Sequence, residues 1–182
     1  MLKKILSKSL TVLFLFVYLY TDKSFSKVVP PNYGFTLEDL QDFSPGKNFS
    51  EIEKKWGKAE FYLKNKKLKI YKIHLIKKSF RFPLYLQVFD EKIIEFYAKL
   101  PSYFSHDLFL KELIKTHGKQ NEYFKQNNLA IYEWKKEDNL KLIYSGSCTI
   151  TCFPIYYQVS WTKIPEGPEK YDNILSILNQ GR

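Results

Sequence analysis

The chain is poor in the residues that most recognisable activities need. Cysteine occurs twice, histidine three times and glycine seven times in 182 residues. With so few glycines there is no phosphate-cradling loop, and no serine stands in a GxSxG setting. Two cysteines with no histidine nearby do not make a zinc site. The only arginines are Arg81 and Arg182. Arginine supplies the bidentate contacts of specific base readout, so their scarcity argues against nucleic acid. His106 follows a helix start, His117 falls at a helix end, and His74 lies late in a strand among lysines. The acidic residues are scattered rather than paired. No catalytic residue, metal ligand or cofactor is assigned, and the chain reads as a non-enzyme.

A long apolar run is also missing. The longest, Leu10–Tyr20, is broken by Thr11 and is about half the roughly 20 residues that a spanning helix needs. Lys3, Lys4 and Lys8 precede it, and Ser24 and Ser26 follow at the small-residue positions of a cleavage site. That layout predicts a secretory signal peptide over residues 1–26 and a mature chain from Lys27, periplasmic or secreted. An uncleaved short anchor is the alternative. No cysteine stands at the cleavage point to carry a lipid, and no transmembrane span remains after cleavage. The segment holds four lysines and one aspartate, so its removal takes the net charge from +10 to +7. A basic exported chain suits an anionic envelope surface such as lipid or polysaccharide, or else simply has a solubilising exterior.

What the chain does have is a repeat. Laid over each other at an offset of 61, Ser50–Leu75 and Lys111–Lys136 share nine identities in 26 positions, among them Gly57/Gly118, Tyr62/Tyr123, Leu68/Leu129, Ile70/Ile131 and Tyr71/Tyr132. Self-similarity at a fixed offset marks duplicated structural units. In the first unit Thr36 caps a short helix, Ser44–Gly46 forms a turn, and a second helix carries Phe49, Ile52 and Trp56 up to Gly57. In the second unit Ser105 caps a helix with Leu108, Phe109, Leu113 and Ile114, ended by Gly118. Three strands follow each glycine. The prediction is an α+β fold: two tandem helix-plus-three-stranded-meander units, residues 27–101 and 102–165, sharing a curved antiparallel sheet with helices on one face. Residues 166–182 form an amphipathic tail, with Tyr171, Ile174, Leu175 and Leu178 on one side.

The stretch "SPGKNFSEIEKKWGKAEFY" resembles the pattern of the SmpA/OmlA envelope lipoprotein family, and the tandem arrangement resembles the β-lactamase inhibitor protein. The resemblance spans most of Phe35–Pro165. It implies helices packed on one curved antiparallel sheet whose open face binds another protein. Ala59 and Gln120 stand where SmpA/OmlA members carry proline, and the lipid-attachment cysteine is missing.

Cys148 and Cys152 sit in "SCTITC". In one extended strand their Cα atoms would lie about 13 Å apart, beyond disulfide reach. If Thr149–Thr151 is a hairpin loop they face each other and bond, as export allows. A rival alignment pairs "FPLYLQV" with "FPIYYQV" and shortens the middle strand of the second unit. A redox-active pair is a further alternative, although CxxxC is not the thioredoxin-like CxxC.

Strand alternation places Leu68/Leu129 and Ile70/Ile131 inside. The third strands add Ile94, Phe96, Ala98 and Leu100, then Ile155, Tyr157, Val159 and Trp161. The open face then carries Tyr71, Ile73, Tyr85, Gln87, Tyr97, Tyr132, Trp134 and Tyr156. Tyrosine and tryptophan bury much area with few rotors, so this face is the expected partner-binding surface. Two alternatives stand beside it: aromatics favour strands anyway, and the amphipathic tail can cover them. The function expected is an exported inhibitor or envelope accessory factor. The alternative is a protein that binds anionic lipid or polysaccharide through its lysines.

Overall fold

The computed structural model describes residues 37–180, apart from 78–79, 101–105, 127–128 and 149–151. The expected signal peptide, the Thr36 and Ser105 caps and the Thr149–Thr151 loop lie outside the described residues.

Helix α1 (Leu37–Gln41) is a single short piece, and α2 (Phe49–Trp56) follows it. Asn48 starts α2, accepting the Ser50 N–H on its side-chain oxygen at 3.0 Å. Glu51 lies in its first turn and Lys54 and Lys55 in its last, each matched to the helix dipole. It stops at Gly57, whose φ of 94° disfavours any side chain. Helix α3 (His106–His117) stops at Gly118 with φ 79°. Both repeated glycines therefore end helices, as the sequence predicts. Helix α4 (Ile174–Gln180) is the tail. No helix among the described residues is long and apolar enough to cross a membrane.

The strands are β1 (Glu60–Asn65), β2 (Leu68–Lys77), β3 (Phe80–Phe89), β4 (Lys92–Leu100), β5 (Glu122–Gln126), β6 (Leu129–Lys135), β7 (Leu140–Cys148) and β8 (Cys152–Trp161). They form one eight-stranded antiparallel sheet in the order β1-β2-β3-β4-β8-β7-β6-β5. Asp90 and Glu91, with φ of 47° and 59°, make the two-residue turn between β3 and β4.

The fold is α+β, as expected, but three details differ. Four strands rather than three follow each helix glycine. The additional strands, β1 and β5, are the sheet edges. They are short and lysine-bearing, and β1 shows no clean inside–outside alternation, which hides it from pattern reading. Second, the helices do not all share one face. Residues of α1, α2 and α3 join the main core, while Ile174 and Ile177 of α4 pack with Ile70 and Tyr97 on the opposite face.

Third, the faces of β2 and β6 are reversed. The register runs Tyr71–Leu86–Phe96–Val159–Leu142–Trp134 straight across the sheet, and all six lie in or against the main core. Tyr71, Ile73, Tyr132 and Trp134 thus face the helices, not an open surface. Ile70 points the other way. Both faces of β2 are buried, since Ile70 is 0% and Ile73 3% exposed, so its aliphatic pattern does not tell inside from outside. The third strands keep their expected face at Phe96, Ala98, Leu100, Ile155, Tyr157 and Val159. Ile94 and Trp161 instead join a third cluster with Leu68 and Ile164. A register shift opposite Gln87/Val88 makes Ile94 the extra residue of β4 and flips the alternation there.

Candidate functional site

The face away from α1–α3 gathers half of the expected binding residues. Tyr85, Gln87, Tyr97 and Tyr156 lie on it, and the other four belong to the main core. Tyrosines cross it as a ladder: Tyr62–Tyr85 at 5.3 Å edge-on, Tyr85–Tyr97 at 6.4 Å, and Tyr97–Tyr156 stacked at 5.6 Å. This face also holds all five buried polar residues among those described: Gln87, Glu95, Glu133, Gln158 and Ser160. The helix-bearing face is the apolar one.

Register explains the grouping. One row reads Tyr85–Tyr97–Gln158–Ile143–Glu133, and the next reads Ile70–Gln87–Glu95–Ser160–Lys141. At the β5–β7 end the charges pair among themselves: Lys135 with Glu122 at 2.5 Å, and Lys141 with Glu133 at 2.8 Å. The Lys135 contact holds the Glu122 carboxyl below its ordinary range. At the β3–β4 end no such cation pairs with Glu95 among the described residues. Glu95 is 0% exposed, and burial pushes its pKa up to about 8 against the opposing hydrogen bonds from Ile174 and Gln158.

The tail closes over that end. The Tyr171 hydroxyl donates to the Trp161 carbonyl at 2.5 Å, and Gln87 Nε2 donates to the Asp172 carbonyl at 3.2 Å. Asn173 caps α4 by accepting the Ser176 N–H at 2.8 Å. The Ile174 N–H donates to both Glu95 oxygens at 3.1 Å, and Gln158 Nε2 donates to Glu95 Oε1 at 2.6 Å. Ile174 and Ile177 then cover Ile70 and Tyr97, with Leu178, Tyr85 and Tyr156 alongside. Sequence reasoning missed Glu95 because nothing in "IIEFYAK" distinguishes a buried acid from a solvated one.

Helix α4 packs chiefly on β3 and β4, and in the β5–β8 part of this face its cluster takes in Tyr156. Phe124, Ile131, Ser145 and Tyr156 form a row there, with Ile143 beside them. Phe124 is 42% exposed, and the other four are half-buried.

On the helix-bearing side a groove of about 610 Å³ lies between α1 and the β6–β7 turn. Leu40, Phe96 and Tyr157 line its apolar part, and His117, Lys136 and Asp138 its polar part. His117 Nε2 is buried without a partner among the described residues. Burial and the Lys136 charge hold the His117 pKa below its ordinary value, so the ring is neutral at pH 7. Among the described residues no group of three His, Cys, Asp or Glu could hold a metal ion. Comparison with family models, with curated proteins and with solved structures finds no match in any of the three.

Proposed function

We propose that this chain is an exported, non-enzymatic protein-binding module that holds its partner against the open β5–β8 part of the tyrosine-bearing face. The observation that carries this reading is the row Phe124–Ile131–Ser145–Tyr156: mostly apolar and aromatic side chains in register across β5–β8, partly exposed beside the α4 cluster that Tyr156 borders. Such a patch with a paired charged rim is the anatomy of a recognition surface. Tyr85, Gln87 and Tyr97 extend the same face beneath α4. Export rests on residues 1–26, and partner binding through a sheet face agrees with the resemblance to the β-lactamase inhibitor protein.

The test is capture of a partner from host envelope extract by the mature chain. Phe124→Ala with Ile131→Ser should weaken capture at least tenfold, because aromatic and aliphatic anchors carry most interface energy. Stability should change little at the exposed Phe124. Capture that survives the double substitution but disappears as salt rises would favour a second reading. That reading has its own observation: Lys64, Lys66, Lys67 and Lys69 are all exposed around the β1–β2 turn, a basic tip suited to anionic lipid or polysaccharide.

The reading includes a Cys148–Cys152 bond at the β7–β8 end. The register makes these residues direct cross-strand partners. Antiparallel partners lie about 4.5–5.5 Å apart at Cα, inside disulfide range. Thiol labelling of the oxidised, unfolded chain should find no reactive cysteine. A closed loop this short contributes roughly 2 kcal/mol, so reduction should lower the melting temperature by a few degrees and leave the circular dichroism native. Two labelled thiols per chain would rule the bond out.

A further inference from the structure

Glu95 and Gln87 stand directly opposite each other on β4 and β3, both with 0% exposure. Gln87 Nε2 is committed to the Asp172 carbonyl, which fixes the orientation of the amide. Gln87 Oε1 is left buried with no partner among the described residues. A buried acceptor without a donor costs about 1–3 kcal/mol. An ionised carboxylate beside it supplies no donor, whereas a protonated carboxyl supplies one. Glu95 Oε1 already accepts from Gln158 and Ile174, while among the described residues Oε2 accepts only the shared Ile174 N–H. Oε2 is therefore the oxygen with room for the proton.

We propose that residues 171–180 form a proton-locked strap: Glu95 is held as the neutral acid, its Oε2–H donating to Gln87 Oε1, and loss of that proton to solvent releases α4 from the sheet.

Among the described residues, the groups that face Glu95 offer no compensating cation. Gln87 faces it from β3, and Gln158 and Ser160 from β8. Tyr171 on the strap has its hydroxyl pushed above the ordinary range by burial and by Glu95, so it stays neutral. The Asp172 carboxylate accepts from Asn65. Lys141, next in the row beyond Ser160, is paired with Glu133. Ionisation of Glu95 thus leaves a buried, unpaired charge, and undocking the strap lets water reach it. The upward push of the Glu95 pKa to about 8 by burial has the same sense. With α4 seated the acid keeps its proton, and with α4 released it ionises near its ordinary value of 4.5. Seating therefore weakens as pH rises between those values. Release uncovers Ile70 and Tyr97 and opens the faces of Tyr85 and Tyr156. The strap is then an internal occupant of the same sheet face proposed to bind a partner. Its release is read from α4 and Glu95 themselves, so this inference stands or falls separately from partner binding.

The experiment follows the Glu95 carboxyl carbon by NMR and hydrogen exchange of the Ile177 amide, which bonds to Asn173, from pH 5 to 9 on the mature chain. The carboxyl should titrate near pH 8. Protection at Ile177, corrected for intrinsic exchange, should fall about tenfold per pH unit between roughly 5 and 8 and then level off. Glu95→Gln offers an N–H₂ to Gln87 and an oxygen to Ile174, so its α4 should stay protected with no pH dependence. A carboxyl that titrates near 4.5 with α4 seated overturns the proposal. So does protection that ignores pH in the native chain, or a Glu95→Gln chain as pH-sensitive as the native one. If Glu95→Gln does not fold, the native carboxyl titration decides alone.

Discussion

Trp134→Ala should cost about 3–5 kcal/mol of stability, the range for truncating a large buried aromatic, and lower the melting temperature by on the order of 10 °C. The indole is 1% exposed in the main core, opposite Leu142 on β7. Its Nε1 donates to the Gly118 carbonyl at 2.8 Å, tying β6 to the end of α3. Alanine leaves a cavity between sheet and helix and takes the donor from that carbonyl. Trp56 is the internal comparison. It is half-buried, lies tilted against the Phe43 ring at 5.4 Å and donates to Asp42 at 3.0 Å, so Trp56→Ala should cost nearer 1 kcal/mol. Denaturant unfolding followed by circular dichroism measures both. The contrast matters because strand alternation puts Trp134 on a binding face, where alanine would cost little stability. A loss under about 0.5 kcal/mol would restore the indole to that face.

Helix ends and turns were legible because single residues decide them. Gly57 and Gly118 each end a helix at positive φ, and Asp90–Glu91 turns the chain where "DEK" interrupts the strands. The cross-strand placement of Cys148 and Cys152 was legible through the repeat, which sets them either side of the place where Asp90–Lys92 turns the first unit. Facing was not legible. Ile70 and Ile73 are both buried, on opposite sides, because a helix covers each side of β2. An aliphatic residue reports that something covers it, not what. Bulges add to this: the register shift between Phe61 and Leu63 and the one at Ile94 each reverse the parity on which alternation depends. At the candidate site Tyr85, Tyr97, Gln87 and Tyr156 fall on the face away from α1–α3, as alternation predicts, because their parity held. Glu95 was not legible, because its burial depends on α4, some 80 residues further along the chain.

Global stability should fall by about 2 kcal/mol between pH 6.5 and 8, at about 1.4 kcal/mol per pH unit for one proton. The sign follows from Glu95. Its folded pKa, about 8, exceeds the unfolded 4.5, so between these values the native state binds more protons than the unfolded chain and loses stability as pH rises. His117 and His74 act in the opposite sense. Burial lowers the pKa of each, helped by Lys136 for His117 and by Arg81 and Lys72 for His74, so they favour the native state as pH rises towards their ordinary 6.5. Below pH 6.5 the two effects oppose each other and the curve is shallow. Above it Glu95 acts alone until the tyrosines and lysines titrate. The loss cannot continue to the full linkage limit of roughly 5 kcal/mol, because the strap offers an escape. Once seating α4 costs more than releasing it, the native chain releases it and the acid ionises without global unfolding. The denaturant m-value should then drop near pH 8, since a chain with its strap already free has less surface left to expose. Glu95→Gln should flatten both the stability curve and the m-value across this range. A native chain whose stability holds constant from pH 6.5 to 8 would show that Glu95 is already ionised where it lies.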